Sequence, residues 1–212
     1  MTIGRFITFE GGEGAGKTTQ IARLVRVLRA RGVEVVQTRE PGGSPSAEAV
    51  RDLLLHADHG WEPLSEALLH YAARCEHLTA TIRPALARGA WVVCDRFSDS
   101  TRAYQGFGLG LDIGTLEALE HMVVGSTRPD LTLILDLPPE VGLGRATGRK
   151  AAADRYERMS ETFHSRLREG FLAIAARAPE RCAVIDAEPG EEQVAEAVFR
   201  AVRERLGGPA AA

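Results

Sequence analysis

The stretch FITFEGGEGAGKTTQ (6–20) sets Gly11, Gly16, Lys17 and Thr18 at the spacing G-x-x-x-x-G-K-[ST]. It follows an apolar run and opens an amphipathic one, the context in which that spacing makes a phosphate-holding loop. Glycines let the backbone turn so that successive N–H groups surround phosphate oxygens, and the next helix adds the positive end of its dipole. Gly11, Gly12, Glu13, Gly14, Ala15, Gly16, Lys17, Thr18 and Thr19 are therefore expected to cradle a nucleoside triphosphate. Lys17 would bridge the outer phosphates and the Thr18 hydroxyl would ligate Mg²⁺. Glu13 is the anomaly, a carboxylate placed where anions are to be bound.

A second apolar run, WVVCD (91–95), ends in Asp95, followed by Arg96. A strand-end aspartate there suits the support of a metal or its waters, and equally the capping of a turn. An Asp-Arg pair at such an edge could hold a cation with one side chain and an anion with the other. Of 26 basic residues only Lys17 and Lys150 are lysines. The rest are arginines, suited to planar, bidentate recognition of phosphate or carboxylate. The segment GLGRATGRKAAADRYERM (142–159) is dense in charge with small residues between. It reads as a mobile segment over a phosphate site or as a solvated helix face.

The elements that must position these groups follow from the apolar pattern. Short runs at 5–10, 33–38, 91–95, 131–137 and 182–186 read as buried strands. Between them, amphipathic helices begin at Lys17, Glu62 and Glu191 and stop at Gly32, Gly89 and Gly207. This alternation predicts a mostly parallel sheet covered on both faces, with ligands beyond the carboxyl ends of its strands. A chain of 212 residues, 44% hydrophobic, is expected to form one compact domain, 1–212, with a frayed tail at 207–212. A net charge of -3 gives no basic footprint for nucleic acid or anionic lipid. No run approaches the roughly 18 apolar residues of a membrane span. Cys75, Cys94 and Cys182 are odd in number and far apart, as in a reduced, cytoplasmic protein without zinc.

Taken together, EGGEGAGKTT (10–19), TREPGG (38–43), YAAR (71–74), DRFSDSTRAYQG (95–106), RPDLTLILDLPPEVGL (128–143) and DRYE (154–157) resemble bacterial thymidylate kinases along nearly the whole chain. The resemblance implies an α/β P-loop nucleoside monophosphate kinase fold, with a five-stranded parallel sheet and a lid near 142–159. It also implies a cytoplasmic homodimer that passes the γ-phosphoryl of ATP to dTMP. By the same resemblance Glu13 binds the 3′-hydroxyl of the acceptor's sugar, and Arg96 and Arg51 hold its phosphate. Arg74, Thr101 and Gln105 read thymine, and Tyr104 crowds the 2′ position. The family usually stacks an aromatic ring, typically Phe, on the base four residues before the thymine-reading arginine; this chain has His70 there. Tyr71 lies about 100° further round the helix and does not replace it.

A phosphate monoester is mostly dianionic at neutral pH, its second pKa lying near about 6, so the acceptor needs no general base. The chemistry reduces to positioning and charge neutralisation by Lys17, Mg²⁺ and a lid arginine. Among Arg145, Arg149 and Arg155, alignment favours Arg149, with Asp154 and Glu157 near the metal or substrate. Two rivals stand beside this reading: a kinase for another nucleoside monophosphate, and a nucleotide-hydrolysing switch. The chain contains no asparagine, so the N-K-x-D guanine-reading signature of switch GTPases cannot occur.

Overall fold

The computed structural model describes residues 4–56, 60–147 and 155–207. Five strands, β1 (Phe6–Glu10), β2 (Val35–Arg39), β3 (Trp91–Asp95), β4 (Leu131–Asp136) and β5 (Cys182–Asp186), form one parallel sheet in the order β2-β3-β1-β4-β5. The three inner strands come from the most continuously apolar runs, as burial on both faces requires. The order reverses at β1, so the loop after β1 opens at a topological switch point. All five expected strands are present; β3 and β5 match end to end, and β1, β2 and β4 differ by one or two residues.

Helices α1 (Lys17–Ala30) and α9 (Glu191–Leu206) cover one face, packing Ile21, Leu24, Leu28, Val194 and Val198 against Ile7, Phe9, Val93 and Leu133. Removing each such side chain from water contributes about 1.5–3 kcal/mol. Across the sheet, α3 (Pro63–His77) runs through a π-helical turn, Leu78–Ile82, into α4 (Arg83–Ala87). The helix expected from Glu62 to Gly89 is thus continuous but carries a wider turn just before Pro84, which cannot donate the regular bond. Short α5 (Ser98–Thr101) passes into a second π-helical stretch, Arg102–Gly108.

Four further helices were not marked by the apolar pattern: α2 (Pro45–His56), α6 (Ile113–Val123), α7 (Pro139–Thr147) and α8 (Glu161–Arg177). Their starts are local chemistry. Asp112 accepts from Thr115 N, Ser160 accepts from Phe163 N, and Pro45 occupies the first turn of α2. The segment 142–159 resolves into the end of α7, then, beyond residues 148–154 which lie outside the described set, a turn at 155–158.

One buried carboxylate fixes how the sheet edge meets the site. Glu10, the last residue of β1, accepts from Phe97 N at 2.8 Å, Ser100 N at 3.3 Å and Ser100 Oγ at 2.5 Å. It thereby holds the turn after β3 against the loop after β1. Burial, and then the charge of Asp99, raise its pKa from 4.5 to about 8. A carboxyl with a raised folded pKa stabilises the fold fully at low pH and loses that contribution as pH climbs toward the folded value. Thermal melts should therefore show the Tm falling between pH 5 and pH 8, and Glu10→Gln should flatten that slope; an equally steep variant would refute the assignment.

Candidate functional site

The loop from Gly11 to Gly16 wraps above the switch point, with φ positive at Gly11, Gly14 and Gly16. At Gly14 the fold itself demands glycine, because an added Cβ would lie 2.0 Å from the Gly142 carbonyl oxygen of α7. A Cβ on Gly142 would in turn meet the Glu13 carbonyl oxygen at 2.3 Å. Loop and helix α7 touch backbone to backbone, so the root of the 142–159 segment bears directly on the loop. Lys17, 8% exposed, donates to the carbonyls of Gly11 at 3.1 Å and Gly12 at 2.8 Å. Burial, reinforced by Arg96, lowers its pKa to about 8. Thr18 and Thr19, on the first turn of α1, are exposed, while Ala15 packs inward.

Thr18 Oγ1 donates to Asp95 Oδ2 at 3.3 Å, so the structure brings together the two side chains expected at the metal. They are hard oxygen donors of the kind Mg²⁺ uses beside phosphates and water. Among the described residues there is no cluster of three or more His, Cys, Asp or Glu that could hold a metal unaided.

Arg96 is the described non-glycine residue with positive φ, 67°. Its N–H bonds Phe9 O at 2.9 Å, and its guanidinium reaches Gly11 O at 3.0 Å, Ser100 Oγ at 3.2 Å and Glu13 Oε1 at 2.8 Å, lying 4.9 Å over the Tyr104 ring. Burial works against its charge, but Tyr104, Glu13 and Asp95 outweigh it and raise the pKa above the ordinary arginine value. Glu13 also accepts from Tyr104 OH. Burial alone would raise the Glu13 pKa; Arg96 and Lys17 prevail and hold it at about 2. Glu13 is an anion locked to a cation.

Two concavities meet here. An inner pocket is lined by His70, Arg74, Thr101, Tyr104, Gln105 and Tyr156, among others. A larger outer groove runs along the loop, Lys17, Thr18 and Asp95 to Arg145, Glu157 and the 187–191 turn. Glu13, Glu40, Arg51 and Arg96 line both. Arg51 donates to Pro41 O at 2.6 Å and so faces the junction.

Within the inner pocket Arg74, 2% exposed, gives Nε to Glu40 at 2.7 Å and Nη2 to Thr101 Oγ1 at 3.0 Å. It lies 4.7 Å over Tyr71 and 5.1 Å over Phe97. Glu40 also meets His77 Nδ1 at 3.0 Å, and His77 Nε2 meets Thr38 Oγ1 at 2.7 Å. Arg74 Nη1 and Gln105 Oε1 are buried with no hydrogen-bond partner among the described residues. Such atoms are rare in folded proteins and call for an explanation. His70 bonds Tyr156 OH at 3.2 Å; burial, then Arg74 and Arg96, push its pKa down to about 3, so the ring is neutral. Tyr71 points away into the core, donating to Leu116 O.

Of the three arginines considered for the 142–159 segment, Arg145 is tied to the carbonyls of Ala187 and Glu188, and Arg155 to Glu66 at 2.5 Å. Arg149, Lys150 and Asp154 lie outside the described residues. Glu66, Glu40 and Tyr156 join the site without any role assigned to them by residue type and spacing alone. Glu66, His70 and Arg74 fall at i, i+4 and i+8, one stripe of α3, a spacing that marks Glu66 as a neighbour of the other two.

A sequence model described as thymidylate kinase matches residues 9–198. The thymidylate kinase of Caulobacter vibrioides is 57% identical over 208 residues, covering 98% of this chain and all of the relative. That of Chromohalobacter salexigens is 54% identical over 97% of this chain and 98% of its own. A crystal structure of thymidylate kinase from Ehrlichia chaffeensis superposes with a TM-score of 0.78 at 37% identity, covering 94% of this chain and 98% of that one. Sequence, sheet order and paired concavities converge: the chain belongs to the thymidylate kinase family.

Proposed function

We propose that this chain transfers the γ-phosphoryl group of ATP to dTMP, giving dTDP and ADP, with the donor in the outer groove and the acceptor in the inner pocket. The observation that carries the acceptor is that, of the unpartnered buried polar atoms, two belong to residues lining the inner pocket, Arg74 Nη1 and Gln105 Oε1. Thymine offers an accepting O4 beside a donating N3–H, the complement of one free donor and one free acceptor. Cytosine offers the reverse. The four residues shared by the two concavities favour transfer between two nucleotides over hydrolysis by a switch.

In this reading Lys17 leaves the Gly11 and Gly12 carbonyls for the outer phosphates of ATP. Thr18 and Asp95 would hold Mg²⁺, which when bound neutralises charge on the β- and γ-phosphates. Arg96 and Arg51 draw the acceptor phosphate to the junction. Glu13 shares Oε1 between Arg96 and Tyr104, and Oε2 takes the 3′-hydroxyl of the deoxyribose. Tyr104 crowds the 2′ position, Thr101 steadies Arg74, and the neutral His70 ring provides the stacking platform. Arg145 and Arg155 are committed to other partners, which supports Arg149 as the arginine that meets the moving phosphoryl group. The whole operates as a single P-loop kinase domain with a lid at 142–159.

The chain is further proposed to act as a cytoplasmic homodimer. Helix α3, on which Leu64 and Leu68 are 45% and 48% exposed, packs beside α6, whose Met122 is 79% exposed. Exposed apolar groups on neighbouring helices suit a self-complementary contact. No described helix is long and apolar enough to cross a membrane.

Three measurements test these assignments. ADP release with ATP and Mg²⁺ should be fastest with dTMP, slower with dUMP and near background with AMP or GMP; release indifferent to dTMP would reverse the conclusion. Arg149→Ala should lower kcat by about 10³-fold while the KM for dTMP changes little, and a variant with ordinary kcat would return the role to another residue. Sedimentation equilibrium should give twice the 22.9 kDa chain mass, and a monomer would exclude the dimer.

A further inference from the structure

Glu66, in the first turn of α3, is fully buried yet is surrounded by donors. Its Oε1 accepts from Gln105 Nε2 at 2.7 Å and from Tyr156 OH at 2.7 Å, and its Oε2 accepts from Arg155 Nη1 at 2.5 Å. Two of these donors follow the 148–154 segment in the chain, and the third stands on the π-helical stretch that lines the inner pocket. An ionised carboxylate can only accept. The Gln105 amide therefore turns its NH₂ toward Glu66, with Tyr156 OH as a second acceptor at 3.3 Å, and its oxygen is left on the other side, buried and unpartnered.

We propose that Glu66 is the positioning residue for base selection: it holds the Gln105 amide with its oxygen offered to the base, and through Arg155 and Tyr156 it fastens the root of the lid to the same pocket. The inference deepens the dTMP kinase reading and rests on it. An amide has two orientations of nearly equal shape and opposite hydrogen-bonding character, so what fixes the flip fixes which base edge fits. With its oxygen turned inward, Gln105 matches a donating N3–H and leaves the unprotonated N3 of cytosine facing a second acceptor. Sites built around such bonds reject a mismatched edge strongly, because a buried polar group is then left unpaired.

The test compares Kd and steady-state constants for dTMP and dCMP in the parent chain, in Glu66→Gln, and in the paired variant Glu66→Met with Arg155→Met. A glutamine at 66 brings its own NH₂ group, against which Gln105 can turn its oxygen, presenting NH₂ to the base. The paired change removes both charges together, so no lone ion is buried, and decides the matter should Glu66→Gln not fold. The preference for dTMP over dCMP should fall at least about ten-fold in Kd and in KM, with the KM for ATP unmoved. A merely structural role would lower stability and kcat for both acceptors alike; a dTMP-to-dCMP ratio within about two-fold of the parent would overturn the proposal. Failure of the parent itself to use dTMP would instead overturn the function on which it rests.

Discussion

The site depends on keeping one half-buried guanidinium charged and fixed where two concavities meet. Arg96 does this with φ at 67°, a conformation that costs a residue with a side chain of order 1–3 kcal/mol. The surroundings over-determine it: the Arg96 N–H is bonded to β1 and the next N–H, at Phe97, to Glu10. From there the side chain spans the Gly11 carbonyl, Glu13 and Ser100. The phosphate loop and the turn after β3 therefore cannot shift independently. Outer groove and inner pocket are set against each other by a single side chain whose backbone could not relax without releasing both.

Most of the fold was legible because its strands are short, apolar and bounded by polar or glycine residues, as in Phe6–Glu10 and Trp91–Asp95. Helices that cover the sheet with a regular apolar stripe, α1 and α9, were equally visible. What escaped was structure decided by tertiary partners. Helix α8 packs Phe163, Leu167 and Phe171 against Tyr104 and Ile134 in a third apolar cluster, a contact no local window contains. The π-helical turn at Leu78–Ile82 is likewise invisible to a pattern that assumes one winding throughout.

The site divides along a similar line. Gly11 to Thr19 and the Asp95-Arg96 pair carry their chemistry in residue type and spacing, and the fold brings Thr18 within 3.3 Å of Asp95 across 77 positions. Arg74 could be singled out only through resemblance, since an arginine in YAAR looks like any surface arginine. Its support could not be read at all. Glu40, His77 and Thr38 line up behind it only because the fold brings the end of β2 within side-chain reach of the last turns of α3. Glu66 was passed over for the same reason: an acidic residue in the first turn of a helix usually answers the helix dipole in solvent.

The carboxylate in the phosphate loop finds its physical account in the same geometry. Two like unit charges 4 Å apart repel by about 4 kcal/mol at an effective dielectric of 20, enough to spoil triphosphate binding if Glu13 stood alone. It does not stand alone, because Arg96 Nη2 lies 2.8 Å from it and Lys17 adds further positive charge. Seen from the groove the pair is close to neutral, while seen from the pocket Glu13 remains an ionised acceptor at any physiological pH. Protonating it would give up the strong bond a carboxylate can take from a hydroxyl, and removing it would leave the Arg96 charge buried without its partner. A loop that had only to hold phosphates would have no use for this arrangement. Under the proposed function the same loop would also index a second nucleotide's sugar, a task that needs an anion there and a cation to hide that anion from the first nucleotide.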